Sequence, residues 1–209
     1  KMIRTITVLL ILGLAGSIAG CKLLHSRFIE IVVRDSVCVE FEEREDSAQF
    51  TTPATVDVAE ELDEALSGVG LTRADITGAK LLAGSYTVTM LQDVGHDWEI
   101  SGTILVQRDD ISDGPEIIVD YSSQSLEDAL AAGEIFADLN PAGVELFNRA
   151  LDDYRENMYT NPILTFTVSN DTCTPAPTGA PADSLIFNWT GCMYMYVIVE
   201  EELTVFDPL

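Results

Sequence analysis

Residues 185–205 read LIFNWTGCMYMYVIVEEELTV, and their alternation decides the fold. Odd positions carry Leu185, Phe187, Trp189, Gly191, Met193, Met195, Val197 and Val199, while even positions carry Asn188, Thr190, Cys192, Tyr194 and Tyr196. Successive side chains of an extended strand point to opposite sides, so a period of two places one apolar set on one face. A single register kept over this whole stretch predicts one long strand, bent or bulged near Gly191, where the pleat lacks a side chain. The same period recurs near the other end. Ile29, Ile31, Val33, Val37, Val39 and Phe41 fall on odd positions, with Arg34, Cys38, Glu40, Glu42 and Arg44 between them. That reads as one long strand, or two joined at Asp35-Ser36.

Between these terminal strands the pattern changes several times. Thr52–Val58 fits a short strand, and Val58, Leu62, Leu66 and Val69 follow helical spacing, with Gly68 or Gly70 as the stop. Residues 81–91 alternate with Leu82, Tyr86, Val88 and Met90 on one face, and Trp98, Ile100, Ile104 and Val106 form the next apolar face. The link Asp93-Val94-Gly95-His96-Asp97 between them predicts a hairpin. A short strand is expected at Glu116–Tyr121, and a short helix between Ser125, a capping residue, and Gly133. Asn140-Pro141 opens a stronger helix over 141–158, because Val144, Phe147, Leu151, Tyr154 and Met158 recur at spacings of three and four. Leu164, Phe166 and Val168 alternate as a strand, and residues 170–184 read as a Pro/Thr-rich loop. The expectation is a mainly β domain over residues 28–209. It is an antiparallel sandwich or strongly curved sheet with long terminal strands, covered by the 141–158 helix and one or two short helices.

The charge narrows the function classes. The chain of 209 residues has 35 Asp+Glu against 11 Lys+Arg, a formal net charge of −24. Nucleic-acid binding needs a cationic footprint to displace phosphate counterions, and this balance argues against it. It argues equally against adsorption of the folded domain on anionic lipid. With 47% hydrophobic residues the chain is too apolar for a disordered acidic tail. The acids alternate with apolar residues, so they belong to the solvent face of a folded domain. Only three Lys among so many acids also fits a protein kept soluble at high salt.

Lys1 and Arg4 precede an apolar run, Ile6–Leu14, and small residues follow at Ala19 and Gly20. This order predicts a secretory signal peptide over residues 1–20. Ile18-Ala19-Gly20-Cys21 resembles the lipobox of bacterial lipoproteins. The resemblance covers the first 21 residues alone. It implies cleavage before Cys21, a diacylglycerol group on the Cys21 thiol, and acylation of the new amine, with acyl chains enough for stable anchoring. It also implies export to the bacterial cell envelope, and Lys22 in place of Asp favours the outer membrane or cell surface. Residues 21–27 then form a short lipidated tether, about 25 Å if fully extended.

With Cys21 assigned to lipid, Cys38, Cys173 and Cys192 remain as disulfide candidates. Cys173–Cys192 is the closest pair in sequence and the first expectation. Cys38–Cys192 is the alternative, and requires the terminal strands to pair. Asp93, His96 and Asp97 are weak metal candidates, two hard oxygen donors with one imidazole, and would centre a small metal-dependent hydrolase. Tyr194 and Tyr196 share a strand face and offer a platform for a sugar ring or a protein partner. The chain has no G-x-S-x-G elbow, no C-x-x-C pair and no glycine-rich phosphate loop. No catalytic residue and no cofactor is expected. The leading expectation is a membrane-anchored, non-catalytic domain for envelope structure, binding or assembly, whose partner is an envelope protein or a glycan.

Overall fold

A computed structural model describes residues 8–10, 26–92, 96–112, 114–156, 161–177 and 184–204. The strands are β1 (Val8–Leu10), β2 (Ser26–Glu45), β3 (Phe50–Asp57), β4 (Ile76–Leu91), β5 (Glu99–Arg108), β6 (Glu116–Ser125), β7 (Ile135–Ala137), β8 (Ile163–Thr174) and β9 (Leu185–Thr204). Among the described residues three α-helices accompany them: α1 (Val58–Ser67), α2 (Leu126–Ala132) and α3 (Pro141–Glu156). The fold is a mainly β, antiparallel sandwich. One sheet has the order β1-β2-β9-β4-β7 and the other β3-β8-β5-β6.

The two long strands recognised from their period are the spine of the first sheet. They pair antiparallel without interruption from Ser26 opposite Thr204 to Glu45 opposite Leu185. The region around Asp35-Ser36 is therefore no break, and β2 is one strand. Nor does β9 bulge at Gly191. Its small residue accommodates the Trp189 ring, whose Cζ3 lies 3.1 Å from where a Cβ would stand. The irregularities sit in β4 instead, where the pairing with β9 shifts between Ile76 and Gly78, between Leu81 and Ala83, and between Val88 and Met90. Each bulge inserts one residue and reverses the facing of the residues beyond it. Hence Leu82 and Met90, expected on a common inner face with Tyr86 and Val88, are exposed at 51% and 37%, whereas Val88 is buried.

The predicted hairpin between residues 81–91 and 98–106 is not made. β4 belongs to the first sheet and β5 to the second, so the connection crosses the sandwich. A turn-rich link between two alternating runs says that the chain reverses, but both sheets offer it a buried face. β8 and β9 likewise belong to opposite sheets, and β8 runs to Thr174, into the stretch expected as loop.

The inner faces make the core: Val37, Val56, Val106, Leu164, Met195 and Val197 around α3, and Phe41, Phe50, Val88, Trp98, Phe187 and Trp189 towards α2. α3 buries Phe147, Leu151 and Tyr154 of the stripe that its spacing predicted, together with Leu146 and Ala150; Val144 is half-buried and Met158 lies outside the described residues. Its start is fixed by Asn140, whose Oδ1 accepts from Ala142 N at 3.0 Å. Residues 135–148 stitch one flank of the sandwich closed. β7 pairs with Gly84–Tyr86 of β4, Asn140 N donates to Ile118 O at 2.8 Å, and Leu81 N donates to Asn148 Oδ1 at 2.8 Å. Strand edges that would otherwise present unpaired amides are thereby satisfied.

Candidate functional site

Two features of the interior are packing rather than site. Cavities of about 50 Å³ and about 60 Å³ lie between the sheets and share Tyr86, Ile104, Val119 and Trp189 as walls. They are apolar and far below the ~300 Å³ at which ligand pockets begin. The buried Glu43 is held by two donors, Thr52 Oγ1 at 2.8 Å and Trp189 Nε1 at 3.3 Å. It faces inward from an odd position of β2, where the alternation predicts an apolar residue.

The candidate site lies on the outer face of the first sheet. The registers place Phe136 of β7, Ser85 of β4, Cys192 of β9 and Cys38 of β2 in one row across four strands. Cys38 and Cys192 are joined, with Cα atoms 4.1 Å apart and 154 residues between them in sequence. The expected Cys173–Cys192 bond is not formed. Cys173 is in the facing sheet, buried in the core, and burial pushes its thiol up to about 11. Pairing of the terminal strands, the condition attached to the alternative bridge, is met.

Beside this row the chain builds a fixed carboxylate. Ser125 caps α2 by accepting from Asp128 N at 3.1 Å, and Gly133 ends the helix at φ +75°, a conformation open to glycine. That turn delivers Glu134 to the sheet face just before β7. Ser85 Oγ donates to Glu134 Oε1 at 2.8 Å, and the Tyr194 hydroxyl donates to the same oxygen. These two bonds, Tyr194 first and Ser85 second, hold the Glu134 carboxyl below its ordinary range. The same bond to Glu134 holds the Tyr194 phenol above its own. No described residue donates to the other oxygen, Oε2.

Aromatic surface adjoins the carboxylate. The Phe136 and Tyr194 rings stand 6.0 Å apart at 36°. Phe136 is 64% exposed, the most exposed large apolar side chain among the described residues. Leu82 stands in the bulge beside Ala83, the register partner of Tyr194. Tyr196, also expected on this platform, is half-buried on the same face and opposite Lys80 of β4. Of the sequence candidates, Tyr194 is thus at the site and Tyr196 one step along the strand. Glu134 and Phe136 were missed, because a three-residue strand after a helix stop carries no measurable period, and Ser85 was missed because a serine on the polar face of an alternating strand stands out in no way.

Asp93 lies outside the described residues, as does Cys21. His96 is exposed and stacks on Trp98 at 5.7 Å, and Asp97 is exposed in the turn. Among the described residues no group of three His, Cys, Asp or Glu could hold a metal ion. Nor is any described helix long and apolar enough to cross a membrane. No protein-family model matches the chain, and no curated protein matches it.

Proposed function

We propose that this protein is an exported, lipid-anchored domain of the bacterial cell envelope that binds or organises a partner and performs no catalysis. The observation that carries this reading is the Cys38–Cys192 bridge between the two longest strands. Disulfides persist in oxidising compartments outside the cytosol, so the bridge supports export independently of the leader. The lipobox-like Ile18-Ala19-Gly20-Cys21 supports the anchor. An outer sheet face with an exposed aromatic patch supports binding, since a large apolar side chain is kept in water at a cost that a contact would recover.

Two measurements test this. Metabolic palmitate labelling in a bacterial host tags the wild type and fails to tag Cys21→Ala; equal labelling of both sinks the anchor. Alkylation of the exported protein, denatured without reductant, modifies Cys173 and leaves Cys38 and Cys192 unmodified. Modification of all three sinks the argument from the oxidising compartment. The second reading, a glycan-binding surface module, draws on the same aromatic patch, and neutral oligosaccharide binding lost in Tyr194→Ala/Tyr196→Ala is its signature.

A further inference from the structure

We propose that Glu134, Phe136 and Tyr194 form a receptor for a cationic side chain, an arginine or lysine presented by a basic segment of a partner protein. The inference rests on the reading of the domain as a binding module and does not depend on the lipid anchor. Three observations carry it. First, the carboxylate is positioned without being used up. Ser85 and Tyr194 both bond Oε1, no described residue bonds Oε2, and Glu134 is exposed. A carboxylate held by two neutral donors keeps its charge and its direction, which is what a guanidinium or ammonium needs from an acceptor. Second, an aromatic face adjoins it. Phe136 is 64% exposed, with Tyr194 tilted against it at 6.0 Å, and a cation beside a carboxylate gains further from a ring quadrupole. Third, the charge of the whole chain is complementary. A net charge of −24 draws basic partners in and turns acidic ones away before contact.

The mixture of groups selects the occupant. A neutral sugar would use the ring and hydroxyl acceptors but would gain nothing from the field of the molecule. A purely apolar partner would bury the Glu134 charge unpaired, which is costly. A basic side chain satisfies ring, carboxylate and field together. An arginine also spans both groups, its plane stacking on Phe136 while its edge donates to Oε2.

The test is a titration of the full chain with a tetra-arginine peptide, monitored through the aromatic proton and carbon NMR signals. The expected result is shifts confined to Phe136, Tyr194 and their neighbours, weakening as salt rises. Phe136→Ala and Glu134→Gln each weaken binding at least tenfold, and Phe136→Leu, which keeps apolar bulk without the ring, weakens it similarly. Glu60→Gln, an exposed acid on α1, leaves it unchanged. Shifts spread over the acidic surface and untouched by the Phe136 and Glu134 variants would overturn the site as diffuse attraction. So would a neutral tetrasaccharide that moves the same two rings while the peptide does not. Palmitate labelling fails or succeeds independently of this titration, so loss of the anchor and loss of the site are distinguishable.

Discussion

Gly143 is where α3 comes closest to the sheet it covers. A Cβ built there would lie 2.6 Å from Ile118 Cα and 2.7 Å from Ile117 O, both backbone atoms that cannot move aside singly. The helix interior would ordinarily favour Ala over Gly by about 1 kcal/mol. Here overpacking opposes that preference and wins, since forcing a helix off its sheet costs about 1–3 kcal/mol. Gly143→Ala is therefore expected to lower stability by up to about 2 kcal/mol in urea unfolding. Gly114, around which a Cβ meets nothing within 4 Å, is the control, and Gly114→Ala should be neutral. A stabilised Gly143→Ala would mean that the helix sits further from β6 than described. The residues of the sheet face obey the same logic of neighbours. Glu134 is a useful acceptor because Ser85 and Tyr194, 49 and 60 residues away in sequence, reach one of its oxygens. No local pattern announces such a meeting, whereas Tyr194 could be singled out because its own strand displays it.

At the scale of elements, the end of β5 is tied to α3 by a buried cation. Arg108, 3% exposed, donates to Asp110 Oδ1 at 2.9 Å and Oδ2 at 2.6 Å, and to Asp153 Oδ2 at 2.5 Å. The two acids are far more open than the cation, so what a substitution leaves stranded is the guanidinium. Asp110→Asn or Asp153→Asn should each cost about 1–2 kcal/mol, and the pair about 3 kcal/mol, less than additive if water reaches Arg108. The bond from Arg108 holds the Asp110 carboxyl below its ordinary range. A carboxyl lowered in the folded state contributes stability in full above its unfolded value of about 4, and loses it as pH falls through the folded value. Wild type should thus lose more stability than Asp110→Asn on acidification from pH 5 to pH 3; parallel loss in both would sink the coupling. The helices and long strands were legible because each repeats its signal over several turns or pleats. Val144 to Tyr154 marked α3, and Leu185 to Val199 marked β9. Sheet membership was not legible, since β4 and β5 each bury one face wherever they go. The three β4 bulges were equally silent, for a bulge is a property of the pair of strands, and β9 alternates without a fault beside it.

The whole molecule holds a charge of −24, and among the residues whose side chains are described every acid but the buried Glu43 is exposed or half-buried. Its few cations are partly consumed inside the structure. Arg108 bonds Asp110 and Asp153, and Arg73, 8% exposed, reaches Asp63 at 3.4 Å and covers the Tyr154 ring at 3.9 Å. The surface acids therefore repel one another with little compensation, and the folded state holds them closer together than the unfolded chain does. Screening should relieve this, because the Debye length falls from about 10 Å at 0.1 M to about 3 Å at 1 M ionic strength. The melting temperature is expected to rise by several degrees between 0.1 M and 1 M sodium chloride, at roughly 2–4 °C for each kcal/mol of repulsion removed. Two comparisons separate screening from general salting-out. A neutral osmolyte at matched osmolality should not reproduce the salt gain, and Glu40→Gln/Glu42→Gln, which removes two exposed charges from the outer face of β2, should raise the low-salt melting temperature and flatten the salt dependence. A melting temperature indifferent to salt would show that the acids are spaced widely enough to ignore one another. The charge would then serve partner selection, through the field that steers basic ligands to the sheet face, and not adaptation to a saline habitat.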